Sequence, residues 1–333
     1  MRAIVVEDVG AVRVAERPEP VPGTAALIAP ERAGLCGTDL KILSGAITVA
    51  LPLVLGHEIV GRVVASGARG LVAEGTRVVV NPGAFCGWCP DCRSDRPNLC
   101  AQGGLLGREA DGLFADLVAV DEQLLHAVPD HVPPTEAVLL QVLGTCVHAQ
   151  SLVRAQPDMV AVVVGLGTTG LLHTQLLRAR GVGTVVGVTR SVAKRALAAQ
   201  FGAVAVAPDD AQDVVDELTG GRGAGLVVES VGSVGTLARA VQLAGPGAQV
   251  LAYGIVTGSG DLPFYELYFK EIDLVSARGA RPMDYDRAVA LVAAGRLQLG
   301  PLVSATFPFD DVGEAVDALR TDSSLLKVIL EVS

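Results

Sequence analysis

The sequence predicts an α/β protein of two domains, a β-rich lobe around a small closed barrel and a doubly wound parallel sheet. Three observations carry this. The chain has 333 residues, too many for one ordinary core. Over residues 1–130, short Val/Ile/Leu runs such as Ile59–Ala65 and Thr76–Asn81 alternate with Gly and Pro turn signals. From Met159 onward, apolar runs of strand length alternate with helical patterns, as stacked βαβ units require.

Composition narrows the class. Half the residues are hydrophobic, 19% are charged, 39 are glycine and 4% are aromatic, which describes a compact, turn-rich chain with buried aliphatic strands. A formal charge of −10 argues against a nucleic-acid binder, because phosphate needs a basic field. The start, Met1 to Glu7, reads as a strand and not a leader, since the apolar run is short and an acid follows at once. The most apolar segment, Met159 to Leu177, is broken by Gly165, Gly167 and Gly170 and is too short to span a membrane. A cytoplasmic location follows as an expectation, and there clustered cysteines are metal ligands before they are disulfides.

In the first lobe, Gly34-Leu35-Cys36-Gly37-Thr38-Asp39 is followed by Gly56-His57-Glu58. A thiolate, an imidazole and a carboxylate are the ligand types that hold a catalytic zinc and leave one position open. Thr38 places a hydroxyl two residues beyond Cys36. Further on, Cys86, Cys89, Cys92 and Cys100 follow the spacing C-x₂-C-x₂-C-x₇-C, which predicts a closed four-thiolate zinc site. An iron–sulfur cluster uses similar spacings. Trp88, between two ligands, is expected to pack within the loop. A helical pattern from Pro133 to Gln156 carries Gln141 and Cys146, the latter a core residue by expectation. His126, His131, His148 and His173 have no ligand spacing and are expected to be structural or solvated.

The second lobe opens with the strand Met159–Val164, the turn Gly165-Leu166-Gly167-Thr168-Thr169-Gly170, a helix to about Arg180 and the strand Thr184–Thr189. Glycines between a strand and a helix let a pyrophosphate reach the helix N-terminus. Strands near Ala203–Val206, Leu226–Glu229, Gln249–Tyr253 and Ile272–Ala277 complete the sheet. The tail predicts a helix at Tyr285–Ala294, an extended segment at Val303–Pro308, a helix at Asp311–Leu319 and the strand Lys327–Val332, returning to the first domain.

These motifs, in this order and over essentially the whole chain, resemble the zinc-dependent medium-chain dehydrogenases, above all the sorbitol, threonine and sugar dehydrogenase branch. The resemblance implies a GroES-like catalytic domain at 1–145 and 275–333 and a Rossmann cofactor domain at 146–274. It also implies oxidation of a secondary alcohol (polyol, sugar or amino alcohol) to a ketone with a nicotinamide cofactor. Catalytic zinc would be held by Cys36, His57 and Glu58, with Glu58 either a direct ligand or a partner beside the metal. Gln141, where many polyol dehydrogenases carry Glu, is a neutral candidate ligand. Thr38 would take the substrate proton, and Lys41 stands where the family often has a relay histidine.

Charge speaks to the cofactor. From Gly165 to Pro208 there is no acid to meet a ribose 2′-hydroxyl, whereas Thr189, Arg190 and Lys194 form a basic turn suited to a 2′-phosphate. The expectation is NADP(H) over NAD(H), with Val231 and Tyr253 completing the candidate cofactor set. The alternatives are a zinc-free quinone or enoyl reductase and a non-catalytic dinucleotide-binding protein, both disfavoured by the intact Cys36/Thr38/His57 set. A small-molecule partner and a homodimer or homotetramer through the edge strand Ile272–Ala277 are expected.

Overall fold

The computed structural model describes residues 1–21 and 23–332. The chain divides into two compact units, Met1–Thr145 with Gly279–Ser333, and Cys146–Arg278. In chain order the first stretch gives β1 (Arg2–Asp8), β2 (Ala11–Glu16), β3 (Ala26–Leu35), α1 (Gly37–Leu43), β4 (Leu53–Val54), β5 (Ile59–Ala65) and β6 (Arg77–Val80). It continues with β7 (Gly83–Ala84), α2 (Pro90–Arg93), β8 (Gly104–Leu105), β9 (Val118–Val120), β10 (Leu125–Ala127), α3 (Pro134–Ala137) and α4 (Leu140–Ser151). The alternating unit follows as β11 (Val160–Val164), α5 (Thr168–Ala179), β12 (Thr184–Val188), α6 (Val192–Gln200), β13 (Val204–Val206), α7 (Ala211–Thr219) and β14 (Ala224–Glu229). It ends with α8 (Val234–Leu243), β15 (Ala244–Ala252), α9 (Phe264–Phe269) and β16 (Asp273–Ser276). The chain closes with α10 (Pro282–Ala293), β17 (Val303–Pro308), α11 (Val312–Thr321) and β18 (Lys327–Glu331).

In the first unit the main sheet runs β10-β6-β5-β3-β18-β17, with β9 also pairing β3, and a smaller sheet runs β2-β1-β4. Among the described residues the ladder runs from β10 to β17, and residues of both sheets pack into one core. Register decides what meets what. β18 is antiparallel to β3 with Val328 opposite Leu35, and β3 is antiparallel to β5 with Ala33 opposite Ile59. The ends of three neighbouring strands therefore bring Cys36, Glu58 and Lys327 to one place. Beneath lies a core that includes Ile4, Ile28, Leu35, Leu55, Ile59, Phe114 and Leu330, each at most 1% exposed. Burying each such side chain stabilises the fold by roughly 1.5–3 kcal/mol.

The second unit is a parallel sheet in the order β13-β12-β11-β14-β15-β16, with the strand order reversing beside β11. Strands buried on both faces read as continuous apolar runs, which is why Val160–Val164 and Thr184–Val188 are so rich in valine. Helices begin where a side chain satisfies the first free amides: Ser191 accepts from Lys194 N and Ser233 accepts from Thr236 N.

Two expectations are corrected in detail. The helix expected over 133–156 is two pieces, α3 and α4, interrupted at Val138 and Leu139, and it stops at Ser151. β15 starts at Ala244, earlier than its apolar stretch announces, because Gly245-Pro246-Gly247, with Gly247 at φ +70°, forms an irregularity where the ladder to β14 shifts register. Among the described residues no helix is long and apolar enough to cross a membrane.

Candidate active site

α1 starts directly after Cys36, and the cap is reciprocal: the Cys36 side chain faces the amide of Asp39, while Asp39 Oδ2 accepts from Cys36 N at 2.8 Å. This fixes the thiol at the helix N-terminus, with Thr38 Oγ1 3.9 Å from Cys36 Sγ. His57 follows Gly56, whose φ of +97° suits glycine, and a Cβ there would stand 2.1 Å from the Phe114 ring. Gly34 has no side chain to collide with Glu58, since a Cβ there would lie 2.8 Å from Oε2.

The ligand atoms of Cys36, His57 and Glu58 all lie within 4.8 Å of one another. Asp39 Oδ1 sits 3.5 Å from His57 Nδ1, and Glu58 Oε1 sits 3.9 Å from His57 Nε2. Neither distance is a good hydrogen bond, and Asp39 Oδ1, His57 Nδ1 and Glu58 Oε1 are buried without a partner. Buried polar atoms are rarely left so. Glu58 Oε1, beside the Cys36 thiol and His57 Nε2, fits a bound cation, and this donor set suits zinc. The field agrees: burial opposes charge on His57, but Asp39 and then Cys36 hold its pKa well above the usual histidine value.

The other oxygen of Glu58 is occupied. Lys327 Nζ donates to Oε2 at 2.7 Å and to the Leu35 carbonyl at 3.1 Å. Burial works against the ammonium, but Glu58 and then Cys36 keep its pKa above the ordinary lysine value. Gln141 is buried on α4 and its Nε2 donates to the Tyr285 hydroxyl at 3.4 Å. Tyr285 is buried too, which raises its phenol above the normal value, and it stacks on His126 at 5.0 Å between ring centres.

Cys86, Cys89, Cys92 and Cys100 form a second cluster, with Sγ–Sγ separations of 3.6, 3.8 and 3.9 Å for three of the pairs. A tetrahedron with zinc–sulfur bonds of about 2.3 Å has sulfur–sulfur edges of about 3.8 Å, so the four thiols fit that ion. The amide of Cys86 draws the Cys100 thiol down to about 7, while burial pushes the Cys92 thiol up to about 12. Trp88 corrects an expectation: it is 62% exposed and does not pack within the loop.

In the other unit, Gly165 has φ of +92° and a Cβ on it would strike Val231 Cγ2 at 2.4 Å. A Cβ on Gly170 would lie 1.8 Å from the Gly165 carbonyl oxygen, so only glycine fits where α5 packs on the turn. Gly167 is the N-cap of α5, no side chain caps it, and a Cβ there would meet nothing within 4 Å. Free amides facing open space at a helix start, where the strand order reverses, fit the pyrophosphate of a dinucleotide. Leu166 is buried under the turn, and Thr169 shares a 2.7 Å hydrogen bond with Ser230. Glu229 braces the facing loop by accepting from the amides of Val231 and Gly232 at 2.9 and 3.0 Å. Tyr253 lies just beyond β15, its hydroxyl 3.6 Å from Cys146 Sγ and its ring edge-on to buried His173. At the end of β12, Arg195 donates to the carbonyls of Thr189 and Arg190, while the Arg190 side chain is exposed.

Residues 22–130 match the alcohol dehydrogenase GroES-like domain, and residues 168–294 match the zinc-binding dehydrogenase domain. The sorbitol dehydrogenase of Halalkalibacterium halodurans is 30% identical over 331 residues, 96% of each chain. The chain belongs to the zinc-dependent medium-chain alcohol and polyol dehydrogenases. Among solved structures, a zinc-binding dehydrogenase of Sinorhizobium meliloti 1021 bound to NADP superposes on this dehydrogenase with a TM-score of 0.92. The two are 30% identical, over 99% of this chain and 98% of that one. An alcohol dehydrogenase of Escherichia coli CFT073 solved with NADH gives a TM-score of 0.92 at 25% identity, over 99% of both.

This dehydrogenase therefore interconverts an alcohol and its carbonyl compound, with zinc and a nicotinamide cofactor. Sequence reading had singled out Cys36, His57 and Glu58 but missed Asp39, Tyr285, Lys327 and Glu229 as the groups that hold the sites in shape. Asp39 was within reach, because a cap followed three residues later by an acid is a helix-start signal. In the Cys₄ loop, Cys92→Ser is expected to lower metal content by one zinc per chain and to lower the melting temperature, because metal binding there is folding energy. Elemental analysis with calorimetry checks this, and unchanged metal and melting would contradict it.

Proposed function

We propose that this dehydrogenase oxidises a secondary alcohol of a polyol, sugar or amino alcohol to the ketone, using NADP(H) in preference to NAD(H). The observation that carries the reading is the buried convergence of Cys36, His57 and Glu58 with Thr38 beside the thiol. Zinc held by Cys36, His57 and Glu58, with Gln141 as a further candidate, supplies Lewis-acid polarisation of the hydroxyl. Asp39 orients two of these residues, holding the Cys36 amide through Oδ2 and facing His57 Nδ1 with Oδ1. Thr38 Oγ1 takes the hydroxyl proton as it hands its own to water, so no net charge stays on the threonine. Lys41 is exposed, and an ammonium is a poor acceptor at neutral pH. The hydride leaves the same carbon for the nicotinamide. Removing the hydroxyl in Thr38→Val is expected to keep both zinc ions while kcat falls by roughly 10²-fold. Steady-state kinetics with zinc analysis decides it, and a wild-type rate with zinc retained would rule the relay out.

Cofactor choice rests on the basic turn after β12. It holds Thr189, Arg190 and Lys194 and no acid, and the exposed Arg190 guanidinium suits a 2′-phosphate. Losing one charge-assisted pair costs about 1.5–3 kcal/mol, so Arg190→Ala is expected to weaken NADPH binding by about ten- to a hundredfold and to spare NADH. Titration with each cofactor is the measurement. Tighter NADH binding by the wild type would overturn the preference.

We also propose that two copies pair through β16. That strand ends its sheet, Leu274 on it is 45% exposed, and Phe264, Tyr265, Tyr268 and Phe269 on neighbouring α9 are 63–77% exposed. An unpaired edge beside an apolar patch suits a second copy of the same strand. Sedimentation at micromolar concentration is expected to give a dimer or tetramer, and a monomer would refute it.

A further inference from the structure

We infer that Lys327 is a positioning residue for the metal site, holding Glu58 by one oxygen so that the carboxylate offers the metal only the other. The inference rests on Cys36, His57 and Glu58 being the zinc site proposed above. Its basis is the difference between the two oxygens of Glu58. Oε2 accepts from Lys327 Nζ at 2.7 Å, whereas Oε1 has no partner and faces His57 Nε2 at 3.9 Å. The side chains of Lys327 and Glu58 are only 5% and 1% exposed, so solvent screens the pair little. The ammonium is anchored a second time on the Leu35 carbonyl, one residue before Cys36, so it cannot follow the carboxylate if that moves.

Charge gives the lysine a further reason to be there. Glu58, Asp39 and the thiolate form of Cys36 would place three negative charges in one buried space. Lys327 cancels one, and the remaining two match a divalent cation. Without the ammonium the site carries one negative charge too many, and Oε2 loses the group that kept it from the metal. Glu58 then closes on the metal with both oxygens, binds it more tightly and crowds the position that substrate needs.

Cadmium-113 in place of zinc reads this directly, because the resonance of a one-thiolate site is well separated from that of a four-thiolate site. In Lys327→Met the one-thiolate resonance is expected to shift and release of that cadmium to a chelator to slow at least tenfold. The four-thiolate resonance should stay in place, showing that the fold is kept, and Lys327→Arg should restore both signals. A one-thiolate resonance and release rate in Lys327→Met equal to those of the wild type would overturn the inference. Absence of any one-thiolate resonance from the wild type is a different result, which overturns the metal-site reading and the inference with it. If Lys327→Met does not fold, Lys327→Met/Glu58→Gln, which removes both charges together, is compared with Glu58→Gln alone. Equal release rates are expected because the lysine acts through the carboxylate, and a tenfold difference would overturn the inference.

Discussion

A carboxylate taken out of water must find a positive charge, and in the first unit Glu58 finds it in the last strand of the chain. An unpaired ion in that position would cost several kcal/mol, which is why the Glu58–Lys327 pair constrains everything around it. It fixes the register of β18 on β3, because a slip of one residue would turn Lys327 to the opposite face of the sheet. It also ties together segments 269 residues apart. The core below, from Ile4 to Leu330, is apolar and would tolerate rearrangement more readily than the charge would.

Around that pair, small local devices aim each side chain. The reciprocal cap at Cys36 and Asp39 sets the thiol at the start of α1, and the left-handed backbone of Gly56 lets the chain pass against the Phe114 ring just before His57. The alternating unit uses the same means. Gly165 and Gly170 allow turn and helix to touch, while Glu229 gathers the amides of Val231 and Gly232 into a firm loop opposite them. Rigid placement of this kind is what lets a fold hold reacting groups in productive geometry.

What the sequence made legible was whatever is local. Cys86, Cys89, Cys92 and Cys100 sit close along the chain, and Gly165-x-Gly167-x-x-Gly170 lies between a strand and a helix, so spacing alone points to their chemistry. Lys327 and Tyr285 were opaque for the opposite reason. Each reaches its partner through strand register or helix packing set by residues far away, and nothing near Lys327 in the chain distinguishes it from a surface lysine. An aromatic between two cysteines suggests packing, whereas Trp88 lies in the bend before α2 and is exposed. The early start of β15 was hidden because Gly and Pro normally signal a turn, and here a ladder irregularity absorbs them.

The separation of 269 residues between Glu58 and Lys327 has a consequence for how the protein is made. Synthesis runs from the N-terminus, so Cys36, His57 and Glu58 emerge from the ribosome long before Lys327 exists. Until β18 pairs with β3, Glu58 is without the Lys327 ammonium. The Cys36–His57–Glu58 cluster therefore takes its final charge only when β18, made 269 residues after Glu58, pairs with β3.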